Sequence, residues 1–154
     1  MKSIRTKKLT SLQKYEVLNL WNNEYPEKLF HGSISDFETW LESLENPSYI
    51  LLIDNNRSIK GWYVDFDRDN EKWFVIILDS KIQGKGLGRI ILNLAKENKP
   101  VLNGWVIDHD KDRKKNGAVY KSPLQFYLKN NFQIISGERF ELGKISAVKI
   151  TWKK

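Results

Sequence analysis

The chain has 154 residues, 40% hydrophobic and 29% charged, which is the balance of one folded domain and excludes a disordered chain. It has no cysteine and only two histidines, His31 and His109, which removes disulfides, cysteine nucleophiles, thiolate metal sites and a histidine-rich metal centre. A formal net charge of +7 favours an anionic partner: nucleic acid, an anionic membrane surface or a polyphosphate cofactor.

In chain order, a first strand is expected over residues 4–9. Residues 11–24 read as a helix with Leu18, Trp21 and Tyr25 at helical spacing and Pro26 beyond its end. A second helix starts at Ser35-Asp36-Phe37-Glu38, which has the form of a capping box, and Asn46-Pro47 stops it. Strands follow over 49–53 and from Lys60, where Trp62, Val64 and Phe66 alternate with Tyr63, Asp65 and Asp67; that strand should bury one face and wet the other. Trp73 to Leu78 is apolar without interruption, as expected of a central strand covered on both faces. The next helix carries Leu87, Ile90, Ile91, Leu94 and Ala95 on one stripe, and a strand spans 101–107. A polar loop over 108–121 is long for a routine connection; it is expected to be mobile without a ligand and to border a pocket. Ser122-Pro123-Leu124-Gln125 looks like another capped helix start, Asn130-Asn131 ends that helix, and the remainder supplies the last strands. The order β-α-α-β-β-β-α-β-α-β-β predicts a single α/β domain over 1–154, with one mixed sheet flanked by helices. No apolar run approaches the roughly 20 residues of a membrane span and the start lacks a signal peptide's apolar stretch, so a cytoplasmic domain is expected.

The chemistry concentrates in Gln83-Gly84-Lys85-Gly86-Leu87-Gly88-Arg89, between a buried strand and an amphipathic helix. Glycines allow positive φ and close approach, and a helix start offers unpaired N–H groups with partial positive charge. This is an anion site suited to phosphate, with Lys85 and Arg89 adding charge. The dinucleotide fingerprint G-x-G-x-x-G would need glycine at position 89, which is Arg89, and the ATP-binding loop G-x-x-x-x-G-K-[ST] is absent.

What remains is Q-x-x-G-x-G, formed by Gln83, Gly86 and Gly88, which resembles the acyl-CoA pyrophosphate loop of the GNAT superfamily of N-acetyltransferases. The segment from Phe126 to Phe132 is similar to that family's late Y-x-x-x-G-F helix end, with Tyr127 and Phe132 in place and Asn131 where glycine is usual. The neighbourhood of Pro123 departs from the family's asparagine-and-alanine pattern. The resemblance implies a mostly antiparallel GNAT-like sheet and acetyl-CoA as cosubstrate, lying between two splayed central strands. Backbone groups near Ile76, Ile77 and Leu78 would bind its pantetheine arm, and the segment Gln83, Gly84, Lys85, Gly86, Leu87, Gly88 and Arg89 its diphosphate. A primary amine would attack the thioester directly, so no enzyme nucleophile is needed. Tyr127 is then the candidate proton donor to the thiolate; Glu71, Asp108 and His109 are candidate bases, beside a water relay. The implied partner is a small-molecule or peptide amine rather than nucleic acid or membrane, and a monomer or homodimer fits equally. Asp65, Asp67, Asp108 and Asp110 could attract a cationic amine. Two other readings stay open: a basic nucleic-acid-binding module, supported by charge and the run from Lys111 to Lys115, and a non-catalytic acyl-CoA-binding protein of the same fold.

Overall fold

The structure is a computed structural model, described for residues 1–143 and 145–154. The chain runs β1 (Lys2–Thr6), α1 (Ser11–Glu24), a 3-10 turn (Glu27–Leu29), α2 (Ile34–Glu42), β2 (Glu45–Ile53), β3 (Ile59–Arg68) and β4 (Glu71–Leu78). A second 3-10 turn (Ser80–Ile82) leads to α3 (Leu87–Lys96), β5 (Val101–Ile107), α4 (Leu124–Lys129), β6 (Gln133–Phe140) and β7 (Ala147–Lys153). The strands form one sheet of seven in the order β1-β2-β3-β4-β5-β7-β6. Every neighbouring pair is antiparallel except β4 with β5. No helix among the described residues is long and apolar enough to cross a membrane.

Each helix begins for a local reason. Thr10 caps α1 through a reciprocal box with Gln13: the Gln13 N–H donates to Thr10 Oγ1 at 3.2 Å and the Thr10 N–H to Gln13 Oε1 at 2.9 Å. The expected box at Ser35 lies two residues too late. Ser33 is the cap, its hydroxyl accepting from the Asp36 N–H at 3.1 Å. Nor does Ser122 form a reciprocal box with Gln125. Pro123 is the N-cap residue of α4, and Ser122 Oγ accepts from the Leu124 N–H at 3.2 Å while donating to the Ile107 carbonyl at 2.6 Å.

Two cores sandwich the sheet. On one face, Val17, Leu18 and Trp21 of α1 and Phe37 and Leu41 of α2 pack on Tyr49, Leu51, Trp62, Val64, Trp73 and Ile77. On the other, Ile91, Leu92 and Ala95 of α3 and Tyr127 of α4 cover Ile50, Leu52, Tyr63, Phe74, Leu102 and Ile150. Burying each large apolar side chain stabilises by roughly 1.5–3 kcal/mol. The second core corrects the half-wet reading of β3: Tyr63 and Asp65 are as buried as Trp62 and Val64, and Asp65 survives there by accepting from the Tyr63 hydroxyl at 2.8 Å. It also corrects the stripe on α3, whose buried residues are Gly88, Ile91, Leu92 and Ala95, with Ile90 49% exposed.

Candidate active site

The feature that places the site is a failure of pairing in the middle of the sheet. β3 and β4 are paired along their whole length, from Arg68 opposite Glu71 to Gly61 opposite Leu78. β4 and β5 meet at one position only, Trp73 opposite Asn103. Beyond it the two parallel strands diverge, and β4 from Val75 to Leu78 has no ladder partner on the β5 side. The Asp79 N–H donates to the Lys60 carbonyl at 2.8 Å, which fixes the alternation of the antiparallel ladder. Ile77 and Val75 therefore bond to β3, while the amides of Ile76 and Leu78 face the gap. Two side-chain bonds agree: Asn103 Nδ2 reaches the Lys72 carbonyl at 3.1 Å and Gln83 Nε2 the Leu78 carbonyl at 3.0 Å. Of the three backbone positions expected in the site, Ile76 and Leu78 line the open edge; Ile77 turns its backbone to β3 and its side chain into the α1–α2 core.

At the end of that edge the chain enters the glycine loop. Gly84 and Gly86 take φ of 77° and 80°, and Gly86 is the N-cap residue of α3. A left-handed residue there turns the chain so that the N–H groups of Leu87, Gly88 and Arg89 emerge at the helix start without a side-chain cap. Gly88 is required for a different reason: a Cβ would sit 2.9 Å from Phe126 Cζ and 3.1 Å from Leu78 Cδ1, so α3 lies tight against β4 and α4. Lys85 and Arg89 are exposed beside the loop and take part in no ion pair among the described residues. Gln83 ties the loop to β4 through Leu78.

On the far side of the gap, the end of α4 holds Tyr127. Asn131 adopts φ 71°, the conformation glycine would supply. This lets the Phe132 N–H bond back to the Tyr127 carbonyl at 3.1 Å and buries Phe132. The Tyr127 ring is 93% buried among Phe126, Phe132 and Phe74, the last at 5.8 Å edge-on. Its hydroxyl makes no hydrogen bond among the described residues. Burial, and then the neighbouring Tyr120, push its pKa well above the ordinary tyrosine value, so it stays protonated.

The three candidate bases are each engaged elsewhere. Glu71 stands at the closed end of the two strands, bound by Asn103 Nδ2 at 3.1 Å and Lys149 Nζ at 3.3 Å. Asp108 is held by both terminal nitrogens of Arg139, at 3.0 and 3.1 Å, which keeps its carboxyl below the usual range. His109 Nδ1 accepts from the Lys111 N–H at 3.1 Å. The acidic residues considered for amine attraction are likewise committed. Asp65 is 2% exposed, Asp67 pairs with Lys72 at 2.6 Å, and Asp110 accepts from the Ser122 N–H at 2.7 Å.

Two residues that sequence reading missed converge here. Tyr25, the C-cap of α1, and Tyr120, in the polar loop, have ring centroids 6.3 Å apart. Burial and then mutual proximity to Tyr127 and Tyr120 raise Tyr25, while burial and then Asp112 raise Tyr120. A lone aromatic in an otherwise charged loop was the available signal. The loop itself is anchored: Lys114 bonds Glu24 at 3.0 Å, Asp112 bonds Lys28 at 2.6 Å, and the Glu27 N–H donates to the Arg113 carbonyl at 2.8 Å. These half-buried tyrosines bind their protons more tightly folded than unfolded. Their contribution to stability is thus complete below the unfolded tyrosine value of about 10 and is lost as pH rises above it toward the raised native values. Urea midpoints should fall above that pH, with a smaller fall in Tyr25→Phe.

The fold of this chain has solved counterparts. An aminoglycoside 6'-N-acetyltransferase complexed with coenzyme A superposes with a TM-score of 0.73 at 11% identity, covering 99% of this chain and 97% of that one. The chain has the GNAT acetyltransferase fold. A GNAT superfamily phosphinothricin acetyltransferase from Sinorhizobium meliloti, in complex with acetyl-CoA, matches at TM-score 0.69 and 10% identity over 99% of this chain and 89% of that one. A spermidine N-acetyltransferase variant from Vibrio cholerae matches at 0.67 and 16%, over 99% and 95%. No family model and no curated protein sequence matches the chain. The GNAT likeness is therefore one of fold rather than of sequence identity.

Proposed function

We propose that the protein is an acetyl-CoA-dependent N-acetyltransferase that moves the acetyl group to a primary amine by direct attack within a ternary complex. The observation that carries this reading is the single Trp73–Asn103 pairing, after which β4 offers an open backbone edge that runs into the Gly84–Gly86 turn. That edge suits an amide-bearing arm. The Ile76 and Leu78 amides can pair with the pantetheine amides as an added strand would. The N–H groups of Leu87, Gly88 and Arg89, with Lys85 and Arg89 nearby, suit a diphosphate. Gln83 holds the loop in register with the edge.

Acetyl-CoA supplies an acyl group activated as a thioester, so the protein has only to position, desolvate and move protons. The amine nitrogen forms the new C–N bond as the C–S bond breaks. Tyr127 hands its proton to the departing sulfur and recovers one from the solvent-side proton released by the ammonium. Tyr127 arrives protonated, and its hydroxyl has no competing acceptor among the described residues. The engagements of Glu71, Asp108 and His109 argue for deprotonation through water rather than by one of those three.

Thermal unfolding with acetyl-CoA, NAD or a short oligonucleotide tests the reading, followed by CoA release with a panel of amines. Acetyl-CoA at about 100 times its Kd should stabilise by about 2.7 kcal/mol, with no effect of the other two. Stabilisation by the oligonucleotide alone would sink the proposal. Stabilisation by acetyl-CoA without CoA release to any amine would leave a binding protein and remove the enzyme.

A further inference from the structure

Between the 3-10 turn after α1 and the 108–121 loop lies a cavity of about 370 Å³, lined by Glu27, Lys28, Phe30, Lys111, Asp112 and Arg113. Its acidic member is unusual. The Asp112 side chain is 9% exposed, and its Oδ1 accepts from Lys28 at 2.6 Å. Its Oδ2 is buried and has no hydrogen-bond partner among the described residues. A buried carboxylate oxygen without a donor costs free energy that a donor arriving with a ligand restores. The backbone ties Asp112 to Tyr120: the Tyr120 N–H donates to the Asp112 carbonyl at 2.9 Å, and the Tyr120 ring meets Tyr25. The same loop thus leads from the cavity to the cluster that contains Tyr127.

The rest of the lining restricts what the donor can be. Lys111 and Arg113 flank Asp112 in sequence and are exposed; Lys111 has no ion pair among the described residues, and Arg113 spends one N–H on the Gly117 carbonyl at 3.2 Å. Three cations line the cavity against two carboxylates, in a chain of net charge +7. Such a field repels a polycation. It suits a molecule with one ammonium for Asp112 and an anionic group for Lys111 and Arg113. Phe30, 59% exposed, adds an apolar wall.

We propose that the acceptor is a zwitterionic amine of the amino-acid class, its ammonium held at Asp112 Oδ2 and its carboxylate facing Lys111 and Arg113. This rests on the N-acetyltransferase reading for the chemistry that follows, but the binding itself is separable. Asp112 selects the acceptor and Tyr127 serves the leaving group.

Two measurements test it. Calorimetry titrates the standard amino acids, their decarboxylated amines and spermidine into protein saturated with CoA, and CoA release from acetyl-CoA is followed with the same compounds. At least one amino acid should bind about tenfold or more tighter than its decarboxylated amine and than spermidine. Asp112→Asn should weaken that amino acid about tenfold or more, raising KM more than it lowers kcat and leaving CoA affinity unchanged. Lys28→Met breaks the same ion pair but keeps the carboxylate, so it should not reproduce the loss. Replacing Lys111 and Arg113 together by Met should erase the preference for the amino acid over its amine. Equal or better binding of spermidine or the decarboxylated amines overturns the proposal, as does a Lys28→Met loss equal to that of Asp112→Asn. Amino-acid binding that depends on Asp112 without any CoA release would keep the cavity assignment and defeat the acetyltransferase reading instead.

Discussion

Gly86→Val should weaken acetyl-CoA binding at least tenfold, or about 1.4 kcal/mol. The reason is conformational rather than steric within the protein. A Cβ on Gly86 would meet nothing within 4 Å, but the residue sits at φ 80° as the N-cap of α3. A β-branched side chain is an outlier in that region. Two responses are open to the chain. If the turn holds, the new side chain stands in front of the N–H groups that a diphosphate must approach. If the turn relaxes, Leu87, Gly88 and Arg89 no longer present those groups together. Either way affinity falls, with a stability loss of about 1–2 kcal/mol from the strain. Calorimetry on the folded variant reads the first effect and urea unfolding the second. Unchanged affinity in a folded variant would remove the loop from the site.

Which parts of this molecule a reader of the sequence could reach follows from the range of the forces involved. The α1 helix, the strand over 101–107 and the left-handed Asn131 depend on neighbours a few residues away, so spacing and residue type reveal them. Ser33 and Ser35 offer the same chemistry two residues apart, and only the path of the chain before α2 selects Ser33. The polar side of β3 misled because Asp65 looks like a surface residue; the Tyr63 hydroxyl and the α3–α4 core that bury it come from other parts of the fold. The splay of β4 from β5 leaves no local mark, since both strands are ordinary apolar runs and the divergence depends on where each is anchored. The glycine loop was legible because positive φ demands particular residues. The convergence of Tyr25, Tyr120 and Asp112 was not, because it depends on the 108–121 loop being pinned back onto α1 by Glu24 and Lys28. The candidate bases illustrate the same limit: residue type and chain position suggested Glu71 and Asp108, and their partners Lys149 and Arg139 come from distant parts of the chain.

Tyr127→Phe should slow the chemical step by roughly 10- to 1,000-fold, within the range of general acid–base contributions, while changing stability and acetyl-CoA affinity little. The structure sharpens both halves of this expectation. The hydroxyl makes no hydrogen bond among the described residues, so deleting it abandons no protein partner, and the ring keeps its contacts with Phe74, Phe126 and Phe132. A proton given to sulfur is needed mainly in the transition state, so the loss should fall on kcat and on kcat/KM alike. Single-turnover kinetics on an identified amine isolates the step from product release. The acyl leaving group supplies a second axis. A thioester whose thiol is more acidic needs less help in departing, so the variant should recover part of its rate on such a substrate. A merely packed tyrosine would show no such dependence. A Phe variant with the wild-type chemical rate removes Tyr127 from the mechanism. Because burial raises the Tyr127 pKa above the ordinary tyrosine value, its loss should also scale the pH–rate profile down without moving its alkaline limb.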